Sequence, residues 1–286
     1  MLRVIVIGAT IAGVTLVLIP FQWIAVTLQL PAMRRIPVLY HRIVCALLDI
    51  HVTIVGKRVE ERPLLIVSNH VSWLDISVIT SVLPVIFVAK REVASWPLFG
   101  LLAKLQRSVF VDRSQRHKTP EVNAEIARRL ADGDPVLLFG EGTSSDGNRV
   151  LPFRTALIDA ARDTLAAAGH VRRVWIQPLS IAYTGLHGFP LGRQHRPVVA
   201  WYGDFALGPH LIGVLRRGAV DVVLSWGEPI PFDETSDRKE VARMLEASVR
   251  RQMAAALRGR EPEAALSMIP KKWPPVFGKD HDQTKS

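Results

Sequence analysis

The sequence predicts an α/β domain, a mixed central sheet flanked by helices, preceded by a membrane-associated helical segment. Two observations carry this. From about residue 51, short β-rich apolar runs alternate with stretches of helical periodicity. Ahead of them, Val4 to Leu30 contains no charged residue, and a bilayer needs roughly 20 apolar residues to span it. Residues 1–50 therefore read as a membrane-anchoring segment followed by a linker and an amphipathic helix. Leu64 to Ser68, Val85 to Ala89, Ser108 to Asp112 and Pro135 to Phe139 are strand candidates, each bounded by polar or turn residues. Thr119, Pro120 and Glu121 open a helix whose stripe is Val122, Ile126 and Leu130, and Gly133 closes it. Leu157 to Ala168 is helical, stopped by Gly169, and Val174 to Tyr183, Val198 to Trp201 and Val220 to Trp226 complete the sheet. Val241, Leu245, Val249 and Met253 define a last helix from Arg238 to Leu257. The folded domain is expected over residues 51–262, and residues 263–286, rich in Pro, Lys and Asp, read as a mobile tail.

The membrane segment has three readings. A signal peptide wants a small-residue cleavage site, which Leu28-Gln29-Leu30-Pro31 lacks, and a core helix wants a polar face. A span remains, or a hairpin kinked at Pro20 and lying in one leaflet. Arg34, Arg35 and Arg42 follow it against Arg3 in front, so the positive-inside tendency keeps the rest of the chain cytoplasmic. The 286 residues carry a formal net charge of +10, which suits a polyanionic partner. Basic pairs are scattered rather than gathered among aromatics and there is no nucleic-acid motif, so a membrane surface is favoured and nucleic acid is not expected. Cys45 is the sole cysteine, which excludes an internal disulfide.

Two stretches carry chemistry. In Ser68-Asn69-His70-Val71-Ser72-Trp73-Leu74-Asp75, residues five apart on one continuous helix point about 140° away from each other. If a strand ends at Ser68 and a helix starts near Ser72, Asp75 instead points back at His70 and can fix the imidazole tautomer, leaving the other nitrogen as a general base. This is the base half of a triad without a serine nucleophile. The competing reading is a capping box, Ser72-x-x-Asp75, in which Asp75 only accepts a backbone N–H. The second stretch, Phe139-Gly140-Glu141-Gly142-Thr143-Ser144-Ser145-Asp146-Gly147, flanks a carboxylate with glycines that allow close backbone approach. It is neither a P-loop nor a nucleophile elbow, and by itself it also reads as an ordinary loop. No carboxylate–histidine group has metal-ligand spacing, so no metal and no bound cofactor is expected.

Together the two stretches resemble the glycerolipid acyltransferase family that includes bacterial lysophosphatidate acyltransferases. Asn69, His70 and Asp75 match its Asn-His-x4-Asp block, Phe110 and Arg113 its Gly-x-x-Phe-x-x-Arg block, and Phe139, Glu141, Gly142 and Thr143 its Phe-Pro-Glu-Gly-Thr block. Pro178 matches an isolated strand proline, and Lys90, Glu92, Pro97 and Gly100 fit the stretch between the first two blocks. The resemblance spans about residues 60–230. It implies an acyltransferase core with His70 and Asp75 catalytic, a substrate site drawn from Asn69, Arg113, Glu141, Gly142, Thr143 and Ser144, and an acyl carrier protein or coenzyme A thioester as donor. It further implies a lysolipid acceptor and the bacterial inner membrane as the location. Three departures stand out: Arg107 replaces a glycine, Gly140 replaces a proline, and Ser144 replaces an arginine suited to bidentate phosphate binding. The longer string to Gly147, followed by Leu151-Pro152-Phe153, resembles the branch that acylates lyso-ornithine lipid, and Asp146 suits a cationic head group or is simply a turn residue. The alternatives are acylation of lysophosphatidate and a catalytically silent lipid-binding protein.

Overall fold

The computed structural model describes residues 1–112, 119–154, 161–163, 165 and 172–260. Arg113, most of the helix expected over residues 157–168 and the tail expected over 263–286 lie outside the described residues. Two helices come first, α1 (Leu2–Thr27) and α2 (Ala32–Leu48), so the region read as part linker is helical for most of its length. The sheet is built from β1 (Ile50–Val55), β2 (Leu64–Ser68), β3 (Ile86–Lys90), β4 (Val109–Val111), β5 (Val136–Phe139), β6 (Val174–Leu186), β7 (Phe189–Pro190), β8 (Val220–Trp226) and β9 (Ile230–Phe232). Helices α3 (Leu74–Val82), α4 (Phe99–Leu105), α5 (Thr119–Ala131), α6 (Leu207–Arg217) and α7 (Arg238–Ala256) connect or follow these strands.

The strand order is β1-β8-β6-β2-β5-β3-β4, parallel throughout except where β8 runs against β6. Period-two alternation divides β2 between two cores: Leu64 and Ile66 face the layer of α2 and α3, whereas Leu65 and Val67 face α5 and α7. Burial on both faces is why β2 reads as an unbroken apolar run. Pro178, mid-strand in β6, has no N–H to give. It sits at the break where β8 ends and β9 begins along the same edge of β6, and its carbonyl accepts the Gly227 N–H at 2.9 Å.

The strand expected over Val198–Trp201 is instead a 3-10 turn, Arg196–Val198, and a loop. Pro197 supplies no N–H for a ladder, and the Trp201 N–H goes to the Val71 carbonyl at 2.9 Å. Arg107 occupies a left-handed position, φ 64°, immediately past α4, the conformation for which the family's glycine is suited. Here the arginine is held there by a 2.7 Å ion pair to the buried Asp134.

An 18-residue stretch of α1 has a mean hydropathy of 2.5, and the helix leaves most of its length uncovered, with Leu16, Val17, Phe21 and Trp23 exposed. It is nevertheless fixed along its length to the domain. The Arg3 guanidinium donates to the Leu215 carbonyl, Thr15 bonds Tyr40, and the buried Gln22 amide donates to the carbonyls of Met33 and Leu105.

Between α2 and α3, His41 is buried with Nδ1 3.1 Å from Ser77 Oγ and Nε2 3.3 Å from Gln106 Oε1. Burial lowers its pKa from 6.5 to about 4, opposed by the Gln106 bond. Because the folded pKa is depressed, the unfolded chain binds the extra proton first, and stability is lost as pH falls from about 6.5 towards 4. The loss reaches about 3 kcal/mol. Denaturant unfolding of detergent-solubilised protein at several pH values is expected to show this slope, and His41→Gln to flatten it.

Candidate active site

Parallel pairing brings the carboxyl ends of β2 and β5 to one edge, with Ser68 beside Phe139, so the two motif-bearing loops leave the sheet side by side. β2 ends where Asn69 takes over its pairing. The Asn69 side-chain oxygen accepts the Ile181 N–H and its amide nitrogen donates to the Ile181 carbonyl, both at 2.9 Å and fully buried. The chain then turns, and α3 begins with Asp75 in its first turn.

Asp75 is completely buried and accepts four hydrogen bonds. Oδ2 takes the His70 imidazole at 2.7 Å from Nδ1, the Val71 N–H at 2.7 Å and the Ser72 N–H at 3.1 Å, and Oδ1 takes the Tyr183 hydroxyl at 2.7 Å. The capping bond and the histidine bond are therefore not alternatives, since one carboxylate oxygen makes both. With Nδ1 donating, Nε2 is the basic nitrogen, and it has no hydrogen-bond partner among the described residues. The ring stacks on Phe139 at 3.9 Å and is 19% exposed, enough to meet a substrate hydroxyl. Tyr183 is buried too. Burial first, then the Asp75 charge and hydrogen bond, push its pKa well above the usual range, so it remains a neutral donor.

Glu141 reaches across from the neighbouring loop. Its Oε2 accepts the His70 N–H at 2.7 Å and its Oε1 the Leu151 N–H at 2.6 Å, and only 3% of the residue is exposed. Burial raises its pKa to about 7; these two N–H bonds oppose the shift, and the Asp75 and Asp146 charges add to it. The Ser145 N–H closes the clamp on the His70 carbonyl at 2.9 Å. Asn69 and Glu141, both expected in the substrate site, bond backbone with their side-chain polar atoms and hold the histidine turn in place.

Gly142 has φ 68° and lies beneath the Arg154 side chain, whose Nε would stand 2.7 Å from any Cβ there. At residue 140, where glycine replaces the proline of the resembled block, a Cβ would stand 2.6 Å from the Phe153 ring, which suits the glycine present. Thr143 is exposed and Ser144 half-buried on the same loop, and neither makes a hydrogen bond to the histidine among the described residues. Reading the sequence alone missed Tyr183, Ser145 and the loop around Arg196. The available signal for the first was a tyrosine in an otherwise apolar strand, which needs a partner for its hydroxyl.

The site is thus an imidazole–carboxylate pair on a strand-to-helix turn, clamped by the Glu141-Gly142-Thr143 loop at one edge of the sheet. Residues 49–182 match the family model described as Acyltransferase. The chain is 50% identical over 264 residues to the lyso-ornithine lipid O-acyltransferase of Brucella abortus, covering 92% of this chain and 98% of that one. It is 48% identical over 263 residues to the lyso-ornithine lipid O-acyltransferase of Rhizobium meliloti, covering 92% and 90%. The chain belongs to this acyltransferase family. The crystal structure of the 1-acyl-sn-glycerophosphate (LPA) acyltransferase PlsC from Thermotoga maritima shares the fold, with a TM-score of 0.61 at 21% identity over 91% of this chain and 98% of that one.

Proposed function

We propose that this acyltransferase moves a fatty acyl group from a thioester onto the free hydroxyl of lyso-ornithine lipid, with His70 as general base. The observation that carries the mechanism is the bond from His70 Nδ1 to Asp75 Oδ2, 2.7 Å, which leaves Nε2 as the basic nitrogen. Nε2 removes the hydroxyl proton as the oxygen attacks the thioester carbonyl. Collapse of the tetrahedral adduct expels the thiolate, which takes the proton back from the imidazolium, while Asp75 stabilises that cation. The near-full-length relatives named above support the acceptor. The donor thiol is that of coenzyme A or an acyl carrier protein; the chain's net charge of +10 suits the acidic surface of a carrier.

Residues 1–50 form the membrane-seating part and residues 51–262 the acyltransferase domain. The bonds that fix α1 from Arg3 to Gln22 support a helix seated in one leaflet rather than one standing clear of the domain. Arg34, Arg35 and Arg42 support the cytoplasmic face of a bacterial inner membrane.

Purified protein in detergent, given labelled acyl-carrier thioester or acyl-coenzyme A, is expected to acylate lyso-ornithine lipid in preference to lysophosphatidate. Transfer to lysophosphatidate alone sinks the assignment of the acceptor.

A further inference from the structure

The loop leaving Glu141 carries a second polar group of residues that the chemistry at His70 does not use. Gly147 lies against Val71, the residue after the histidine, with its Cβ position 2.9 Å from Val71 Cγ1. Arg196 packs on the same glycine, its Cδ 3.9 Å from that position. The Arg196 Nη1 donates to Asn148 Oδ1 at 2.6 Å. Asn148 in turn donates through its backbone N–H to Asp146 Oδ1 at 2.9 Å and through Nδ2 to Asp146 Oδ2 at 3.1 Å. The result is a string of carboxylate, amide and guanidinium beside the catalytic turn.

Two features of the string point to a ligand. The Arg196 Nε–H is buried and has no hydrogen-bond partner among the described residues, although an unpaired buried donor costs more than a typical hydrogen bond contributes. A guanidinium that still lacks a partner for this donor fits a carboxylate. Secondly, a neutral amide stands between Asp146 and Arg196 where a direct ion pair would have neutralised both. Asp146 stays ionised: burial opposes its charge, but the Asn148 bonds and the nearby Arg149 and Arg193 hold its pKa below the usual range. Opposite charges kept apart match a ligand that carries both.

We propose that Asp146, Asn148 and Arg196 form the acceptor head-group site, selective for a zwitterionic amino-acid head group. This rests on the acceptor assigned above, whose ornithine moiety offers a carboxylate and a side-chain ammonium. Arg196 takes the carboxylate, Asp146 takes the ammonium, and Asn148 sets their spacing. A phosphate-headed lysolipid meets the Asp146 carboxylate with a like charge and finds no cation at Ser144, so beside Arg196 the site prefers a zwitterion to it.

The test couples each charge on the protein to one on the substrate. Wild type, Arg196→Gln and Asp146→Asn are assayed with lyso-ornithine lipid, its carboxyl methyl ester and its side-chain N-acetyl derivative. For wild type, each modification is expected to lower kcat/KM by about tenfold or more, the worth of a charge-assisted hydrogen bond. Arg196→Gln is expected to lose the penalty for the ester while keeping that for acetylation, and Asp146→Asn the reverse. Variants that discriminate as wild type does overturn the site. If either variant fails to fold, wild type alone decides, because equal use of the three acceptors overturns it. Wild type that acylates none of the three but accepts lysophosphatidate overturns the acceptor assignment and this site with it. Wild type that acylates lyso-ornithine lipid without either coupling overturns the site alone.

Discussion

Replacing His70 with alanine is expected to lower kcat by roughly 10³–10⁴-fold, the larger part of what a positioned general base contributes. The prediction is about chemistry because the surroundings hold without the ring. The residue's N–H is bonded to Glu141 and its carbonyl to Ser145, and both bonds are made by the main chain, which alanine keeps. Asp75 retains the Val71 and Ser72 N–H groups and the Tyr183 hydroxyl. What is lost structurally is the Nδ1 bond to the buried Asp75 and the stack on Phe139, together about 2–4 kcal/mol. Thermal unfolding of the variant is therefore expected to stay cooperative with a midpoint lowered by roughly 5–10 °C, a loss far too small to explain the fall in acyl transfer. The vacated space beside Phe139 also suggests rescue: added imidazole restores part of the rate if only the base is missing. Activity within tenfold of wild type removes His70 from the mechanism.

The sheet and the candidate site were legible to different depths, for physical reasons. β2 and β8 were found at their true ends, Leu64–Ser68 and Val220–Trp226, because strands buried on both faces or alternating cleanly leave strong patterns. α6 was missed because Gly208, Pro209 and Gly213 dilute its stripe, and β1 because only one of its residues, Ile50, is buried. At the site, His70 and Asp75 are five residues apart, so a local argument about where a strand ends and a helix begins relates them. The backbone bonds of Asn69 and Glu141 were not legible, because sequence shows which polar groups are present, not which backbone they satisfy. The partner of Asn69 is 112 residues away and that of Glu141 is 71. Tyr183 meets Asp75 across 108 residues, a pairing set by strand order in the sheet.

That distant tyrosine sharpens the second prediction, Asp75→Asn. An asparagine at residue 75 has one acceptor oxygen and one NH₂ for four existing bonds. Its oxygen must stay at the Oδ2 position, because three N–H groups converge there and an NH₂ would face three donors. The NH₂ then falls at the Oδ1 position, where the Tyr183 hydroxyl can rotate and accept instead of donate. The variant therefore folds, keeps the imidazole with Nδ1 protonated, and loses only the negative charge that stabilises the imidazolium. A fall in kcat of roughly 10²–10³-fold is expected, smaller than for loss of the base. In the double variant with Tyr183→Phe the NH₂ has no acceptor, but the hydroxyl is then lost to a neutral group rather than to a buried carboxylate, so stability should drop by less than the sum of the single changes, measurable as a double-mutant cycle in unfolding free energy.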